Sequence, residues 1–308
     1  MLSRIAESLY WIGRYVERAE DTARLLDVAH RSALEGSDLV APEVLAATLG
    51  GNPLADRGSE LLAAYCLDRY LPESVTFSVR AARENARTIR EALPSEMWEA
   101  LNTWHLQTAA SGRSDMSGGG AHQVLSDFLT RAAHLIGVAE GMMIRDEGWD
   151  WFVIGRYLER ISFTSRVLAV RAPQLAMTGG AAETYGYAVL LRVFAAYEAF
   201  RATYRTGVDS RRVIEFLILG ELFPRSALYA VQRLDEAAGR VSDQRYGRDS
   251  RRKVGRLRGE MQFRDVDDIV AEGIDDVLWR LLGHCQDIHL AFVDEPFARG
   301  GYLGRVEE

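Results

Sequence analysis

Ile12-Gly13-Arg14-Tyr15-Val16-Glu17-Arg18 is written twice in this chain, the second time as Ile154-Gly155-Arg156-Tyr157-Leu158-Glu159-Arg160. The match runs on through Thr22/Thr164, Arg24/Arg166, Leu26/Leu168 and Val28/Val170, so that 10 of the 17 positions from Ile12 to Val28 are identical at an offset of 142. Chance would give about one. Apolar positions around the copies changed: Val16 against Leu158, Ala19 against Ile161, Ala23 against Ser165. The charges of Arg14/Arg156, Glu17/Glu159, Arg18/Arg160 and Arg24/Arg166 did not. Solvated surface charges contribute little and exchange freely, so this motif has a charge-dependent task in both places. Two tasks fit. One is a buried Glu–Arg network, whose members are hard to change singly because losing one strands the other. The other is a ligand site.

Working outward, Ile5, Leu9, Ile12, Val16, Ala19, Ala23 and Leu26 alternate steps of four and three, a helical stripe suited to antiparallel bundle packing. Trp151, Ile154, Leu158, Ile161, Ser165 and Leu168 repeat it. Gly13 and Gly155 lie beside the stripes. Glycine inside a helix costs about 1 kcal/mol relative to alanine, so its presence in both copies points to the close approach of a backbone or a ligand.

Polar and Gly/Pro punctuation falls at Gly50–Pro53, Leu71-Pro72, Leu93-Pro94, Ser111–Gly120, Ala172-Pro173, Gly179-Gly180, Gly207, Phe223-Pro224 and Tyr246-Gly247. The segments between have bundle-helix lengths, and none shows sustained alternation rich in β-branched residues. A fainter echo matches Pro72-Glu73-Ser74-Val75-Thr76-Phe77 with Pro224-Arg225-Ser226-Ala227-Leu228-Tyr229, each a proline suited to a first helical turn. The expected fold is therefore all-α: a helical bundle of two duplicated halves without sheet, one domain over 1–308, with halves of about 1–125 and 126–308. The join falls within the helical stretch Asp127–Gly148, and Ser111–Gly120 is the expected flexible loop.

Composition bounds the function. With 37 basic and 44 acidic residues the net charge is −7, which argues against a nucleic-acid binder. No apolar run reaches the ~18 residues of a membrane span. Met1–Glu7 lacks the apolar core of an export signal, and two cysteines, Cys66 and Cys285, form no disulfide framework, so a cytoplasmic location is expected. No Gly-x-Ser-x-Gly, P-loop or His-Glu-x-x-His is present, and no cofactor or metal is expected. Asp27-x-x-His30 is the nearest approach to a bundle metal motif, but Ala169 and Ala172 occupy the matching places. Cys285 and His289 stand one helical turn apart, as a nucleophile and base would, in an apolar terminal helix where a buried structural Cys is the ordinary reading. Asp265, Asp267 and Asp268 are suited to capping that helix. Arg240–Arg258 carries eight basic and two acidic residues; it reads as a solvated face or as a docking surface for an acidic partner.

The duplicated motif remains the main candidate site: Arg14, Tyr15, Glu17, Arg18 and Arg24 with Arg156, Tyr157, Glu159, Arg160 and Arg166. If the copies converge, Arg14, Arg18, Arg156 and Arg160 surround two glutamates, and the spare positive charge suits a carboxylate or phosphate held by planar guanidinium forks.

Here the sequence resembles the bacterial alpha-E family, helical proteins named for a Glu-Arg motif. The resemblance rests on Ser3–Glu20, Ala82-Arg83-Glu84-Asn85-Ala86-Arg87, Met97–Asn102, Gly155–Arg160 and Phe223-Pro224-Arg225-Ser226. It adds Arg83, Glu84 and Arg87 to the candidate network. One departure is Ile161-Ser162-Phe163, where the family more often continues as Ala19-Glu20-Asp21 does. Such proteins tend to be encoded beside circularly permuted ATP-grasp proteins and transglutaminase-like peptidases. The resemblance thus implies a part in amide-bond formation or cleavage, with those proteins as partners. Three roles follow: a non-catalytic helical partner that holds a peptide or carboxylate substrate for the ligase; an enzyme with Glu17 or Glu159 as base, Tyr15 or Tyr157 as proton donor and the arginines stabilising an oxyanion; or a purely structural, dimeric bundle.

Overall fold

The computed structural model describes residues 1–35, 42–49, 59–116, 119–242 and 248–294. Among them lie fourteen α-helices and no strand: α1 (Ser3–Leu34), α2 (Pro42–Leu49), α3 (Ser59–Leu67), α4 (Val75–Thr88), α5 (Ser95–Ala110), α6 (Gly120–Met142), α7 (Glu147–Ala176), α8 (Gly180–Val193), α9 (Tyr197–Tyr204), α10 (Ser210–Leu219), α11 (Ala227–Ser242), α12 (Arg248–Gln262), α13 (Val266–Glu272) and α14 (Ile274–Phe292). The all-α expectation holds.

The two long helices carrying the repeated motif, α1 and α7, pack on each other at the centre. Helices α4 and α6 cover α1, while α11 and α14 cover α7. Outside these, α5 lies on α4 and α6, and α12 lies on α11 and α14. Central placement explains why α1 and α7 are buried nearly all round. Leu9, Ile12, Val16, Ala19, Ala23 and Leu26 are buried on one, and Trp151, Ile154, Leu158, Ile161, Ser165 and Leu168 on the other. Each large apolar side chain removed from water contributes roughly 1.5–3 kcal/mol.

The antiparallel expectation fails for this pair. Met1 meets Glu147, Gly13 meets Phe152 and Arg156, and Arg18 meets Glu159. Contacts advance in the same direction along both helices, so α1 and α7 run parallel. Parallel helices cannot be joined by a short turn, and residues 35–146 supply the return path. At the crossing, a Cβ added to Gly13 would fall on the Phe152 carbonyl oxygen and 2.9 Å from the Arg156 nitrogen. One added to Gly155 would fall on the Tyr10 carbonyl oxygen and 3.2 Å from the Arg14 nitrogen. The duplicated glycines therefore admit a neighbouring backbone.

The second echo also has a structural counterpart. Ser74 Oγ accepts a hydrogen bond from the Phe77 backbone N–H at 3.0 Å, capping α4, and donates to the Asp68 carbonyl. Ser226 Oγ accepts from the Tyr229 backbone N–H at 3.1 Å, capping α11, and donates to the Gly220 carbonyl. The serines, not the prolines, begin these helices; Pro72 and Pro224 lie outside the first turn.

Other boundaries need correction. Pro173 lies inside α7, near its end, where few backbone bonds remain to be lost. The expected helical join at Asp127–Gly148 is interrupted between Met142 and Glu147. There Asp146 caps α7 by accepting from the backbone N–H groups of Gly148 (2.9 Å) and Trp149 (3.3 Å). Within Ser111–Gly120, Arg113–Met116 forms a 3₁₀ turn and Met116 is buried; residues 117–118 lie outside the described residues, as do the breaks at Gly50–Pro53 and Tyr246-Gly247. Asp265 caps α13 rather than the terminal helix, in a reciprocal box with Asp268, and Asp267 pairs with Arg211.

Candidate functional site

The motif on α1 closes on the motif on α7 as two reciprocal clamps flanking the glycine crossing. Glu159 receives Arg14 Nε and Arg18 Nε, each at 2.7 Å. Glu17 receives Arg156 Nε at 2.9 Å and Arg160 Nε at 2.5 Å. Helical spacing produces this directly. Arginines four residues apart project from one face, and the parallel register brings them astride the glutamate of the other helix. Aromatic rings support the guanidinium groups: Arg18 lies over Tyr15 (5.5 Å) and Arg160 over Tyr157 (5.1 Å). Tyr15 in turn contacts Phe77 and Tyr157 contacts Tyr229, so the tyrosines serve here as platforms.

Among the described residues, no arginine lies within 4 Å of both carboxylates, so the two copies meet but their four arginines form two separate sites and not one cluster. Glu17 is wholly buried, and Glu159 is 8% exposed. Burial pushes each carboxyl upward, but the arginines overcome it. Arg160, Arg156 and Arg225 hold Glu17 at about 2, and Arg18 and Arg14 hold Glu159 well below the usual carboxylate range. Carboxylates so tightly ionised and so fully engaged are poor general bases.

The two clamps differ in their surroundings. Beside Glu17, Arg225 binds Asp21 at 2.8 Å and also pairs with Glu20. Arg24 binds Glu20 at 2.8 Å, Arg156 reaches Glu140 at 3.2 Å, and Arg160 donates to the Pro224 carbonyl at 2.9 Å. Beside Glu159, Arg14 donates to Tyr10 Oη at 3.1 Å, and Tyr10 shares a 2.7 Å hydrogen bond with His289 Nδ1. Arg166 donates to the Leu49 carbonyl at 3.3 Å. Glu20, Asp21, Glu140, Arg225, Tyr10 and His289 were missed as members of the network. Glu20 stood four residues before Arg24, which was a usable signal. Arg225 arrives from α11's entry loop, within the Pro224-Arg225-Ser226 segment that the second echo and the family resemblance both mark, although neither says which carboxylates it meets.

Arg83, Glu84 and Arg87 lie elsewhere, in a partly exposed group of their own on α4: Glu84 takes Arg83 at 2.5 Å and Arg87 at 2.9 Å, and Arg83 reaches Asn102 on α5 at 3.2 Å. Cys285 is buried, and burial pushes its thiol up to about 11, while His289 is engaged with Tyr10; the nucleophile–base pairing is not formed. Asp27 is held by Arg31 (2.9 Å) and His122 (2.6 Å). Among the described residues no group of three or more His, Cys, Asp or Glu is placed to hold a metal ion, and no helix is long and apolar enough to cross a membrane. The described part of the basic run stays at the surface, with several of its charges paired. Arg240 binds Asp150, Arg251 and Arg258 bind Asp235, and Arg252 and Lys253 bind Asp249; residues 243–247 lie outside the described residues.

Asp21 yields a pH prediction. Burial, then the adjacent charge of Glu17, pushes its carboxyl up to about 8 despite Arg225. A folded-state value above the unfolded one stabilises the fold while the proton stays on. That contribution is complete below about 3.8 and is lost as pH rises toward 8. The melting temperature should therefore fall between about pH 4 and pH 8, and Asp21→Asn should flatten that decline. Parallel declines in the two proteins would rule out a protonated Asp21.

No solved structure matches the chain. Uncharacterised proteins of Mycobacterium bovis and Mycobacterium tuberculosis are each 28% identical to it over 263 residues, covering 75% of this chain but 29% of theirs. The chain thus spans less than a third of the length of these relatives. Residues 1–295 match the Alpha-E family, described as a predicted alpha-helical domain with a conserved ER motif. Two Glu-Arg motifs, both locked at the heart of an all-helical fold, accord with that description, and this chain belongs to the Alpha-E family.

Proposed function

We propose that this protein is a non-catalytic helical partner in an ATP-grasp amide-ligase or peptide-modification system, a scaffold that holds the ligase or its substrate. The observation that carries this reading is the closure of both motif carboxylates. Each is buried between two arginines of the other helix, which is what a rigid frame requires and what a catalytic base cannot use. The gene neighbourhood that the alpha-E resemblance implies supplies the partner. A second support comes from the mycobacterial relatives, in which the matching region is 29% of a longer chain and so works tethered to other segments.

Within this reading the chain is one domain over 1–308 built from two duplicated halves, about 1–125 and 126–308. Support comes from the reciprocal clamps, the paired glycines and the paired serine caps, and from the matched covering of α1 by α4 and of α7 by α11.

The test is to co-express the protein with the neighbouring ATP-grasp protein, isolate the complex, and assay ATP-dependent amide formation with and without this chain. A stable complex whose activity depends on this chain, and survives Glu159→Gln wherever that variant folds, is the expected result. Separate elution of the two proteins, with ligase activity indifferent to this one, would refute the proposal. Loss of turnover in a folded Glu159→Gln complex would favour the enzymatic alternative.

A further inference from the structure

Away from the clamps, a cleft of about 630 Å³ is lined by Tyr197 and Arg201 of α9 and by Arg205, Thr206, Gly207 and Val208 of the segment leading into α10. Its volume falls within the roughly 300–1,000 Å³ of small-molecule sites. Tyr197, Arg201 and Arg205 follow one another at intervals of four residues, so α9 and its C-terminal cap bring one ring and two guanidinium groups to the same cleft. Arg201 lies over the Tyr197 ring at 5.9 Å, and Arg192 of α8 lies over that ring at 5.5 Å.

Two features set the cleft arginines apart. The chain is acidic overall, yet neither Arg201 nor Arg205 has a carboxylate within 4 Å among the described residues. The carboxylates nearest along the chain are engaged elsewhere or face water. Asp209 pairs with Arg212, Glu215 accepts from Tyr204 Oη at 3.1 Å, and Glu198 is exposed. The second feature is the backbone of Arg205. Its φ of 52° lies in the left-handed region, where its N–H closes α9 on the Arg201 carbonyl at 3.0 Å. Glycine takes that position with least strain. An arginine there accepts a backbone cost and sets a guanidinium into the cleft.

The segment beside it is already fixed. Thr206 Oγ1 accepts from Arg212 Nη1 at 2.6 Å, and Asp209 caps α10 by accepting from the Arg212 backbone N–H at 3.0 Å. A frame held in advance reduces the ordering cost of binding. We propose that this cleft binds a phosphate monoester, its phosphate held by Arg201 and Arg205 and its organic part beside Tyr197. Such a phosphate carries about −1.5 to −2 charges at pH 7 and three acceptor oxygens, which matches two unpaired guanidinium forks. A carboxylate offers a single charge and two oxygens. This inference concerns the chain by itself and does not depend on the ligase partnership.

Isothermal titration of the full chain with phenyl phosphate and with benzoate, at matched ionic strength, tests it. Phenyl phosphate should bind saturably with a dissociation constant of about 1 mM or below, and benzoate about tenfold more weakly. Arg205→Gly is the deciding variant. It relieves the left-handed backbone, so its melting temperature should equal or exceed that of the wild type, while its affinity for phenyl phosphate falls about tenfold or more. Arg201→Gln should weaken binding to a similar degree. Arg252→Gln, which alters an exposed arginine on α12, should leave it unchanged. No saturable binding of phenyl phosphate up to about 10 mM, undiminished affinity in Arg205→Gly, or equal affinity for benzoate would overturn the proposal.

Discussion

Glu17→Gln should lower the unfolding free energy by roughly 3–5 kcal/mol, because it strips the buried Arg160 of its paired carboxylate and leaves Arg156 only the exposed Glu140. For a chain of this size that is a fall in melting temperature on the order of 10 °C. The expectation rests on the complete burial of Glu17 and on its bonds from Arg156 at 2.9 Å and Arg160 at 2.5 Å. Glutamine keeps the shape and one acceptor, so the loss reports charge rather than packing. The acid limb supplies an independent readout. A carboxyl held near 2 in the folded state contributes stability that is present above about 4.5 and disappears as pH falls toward 2. The variant should lack that share of the acid-induced loss. A melting temperature within a degree or so of wild type at pH 7 would mean that the clamp contributes nothing.

Gly155→Ala should destabilise the protein even though alanine is the better helix former. Helix propensity alone favours alanine by about 1 kcal/mol. Against this, the new methyl group would meet the Tyr10 carbonyl and the Arg14 nitrogen, both main-chain atoms of a helix that cannot rotate aside. Forcing such a seam apart costs about 1–3 kcal/mol or more, and it stretches both clamps at once, since each spans the same crossing. Gly13→Ala should behave alike, for its methyl group would meet Phe152 and Arg156. Gly137→Ala is the internal comparison. Gly137 lies inside α6 with nothing within 4 Å of an added Cβ, so there the propensity gain should appear as stabilisation of up to about 1 kcal/mol. Equal stabilisation at positions 137 and 155 would show that α1 and α7 do not approach as closely as described.

These expectations separate what was local in the sequence from what was not. Helix content was legible because the 3.6-residue period of Leu9, Ile12, Val16 and Ala19, and its recurrence at Ile154, Leu158 and Ile161, depends on neighbours along the chain. The invariance of Glu17, Arg18, Glu159 and Arg160 between copies, beside drifting apolar positions, marked the same residues that the structure places in the clamps. Ser74 and Ser226 were inside the repeated segment but were overshadowed by the prolines before them. The break at Met143–Asp146 was missed because the apolar pattern of α6 runs almost into that of α7, and a single capping aspartate interrupts it. Arg83, Glu84 and Arg87 share the motif's composition but satisfy one another on α4, a distinction that composition cannot make.

By itself, then, the sequence determined the helices, the repeated charged motif and the need for close approach at Gly13 and Gly155, all of which follow from spacing along one chain. Only the tertiary structure decided that the two helices run parallel, that the partners of Glu17 and Glu159 come from the other copy and not from Arg83 or Arg87, and that Arg225 joins the Glu17 clamp. The physical reason is that ion pairing depends on register and burial between segments more than a hundred residues apart. Glu20, where the other copy has Ser162, is one local position, but its ion pair with Arg225 exists only once α1 and the entry to α11 have come together.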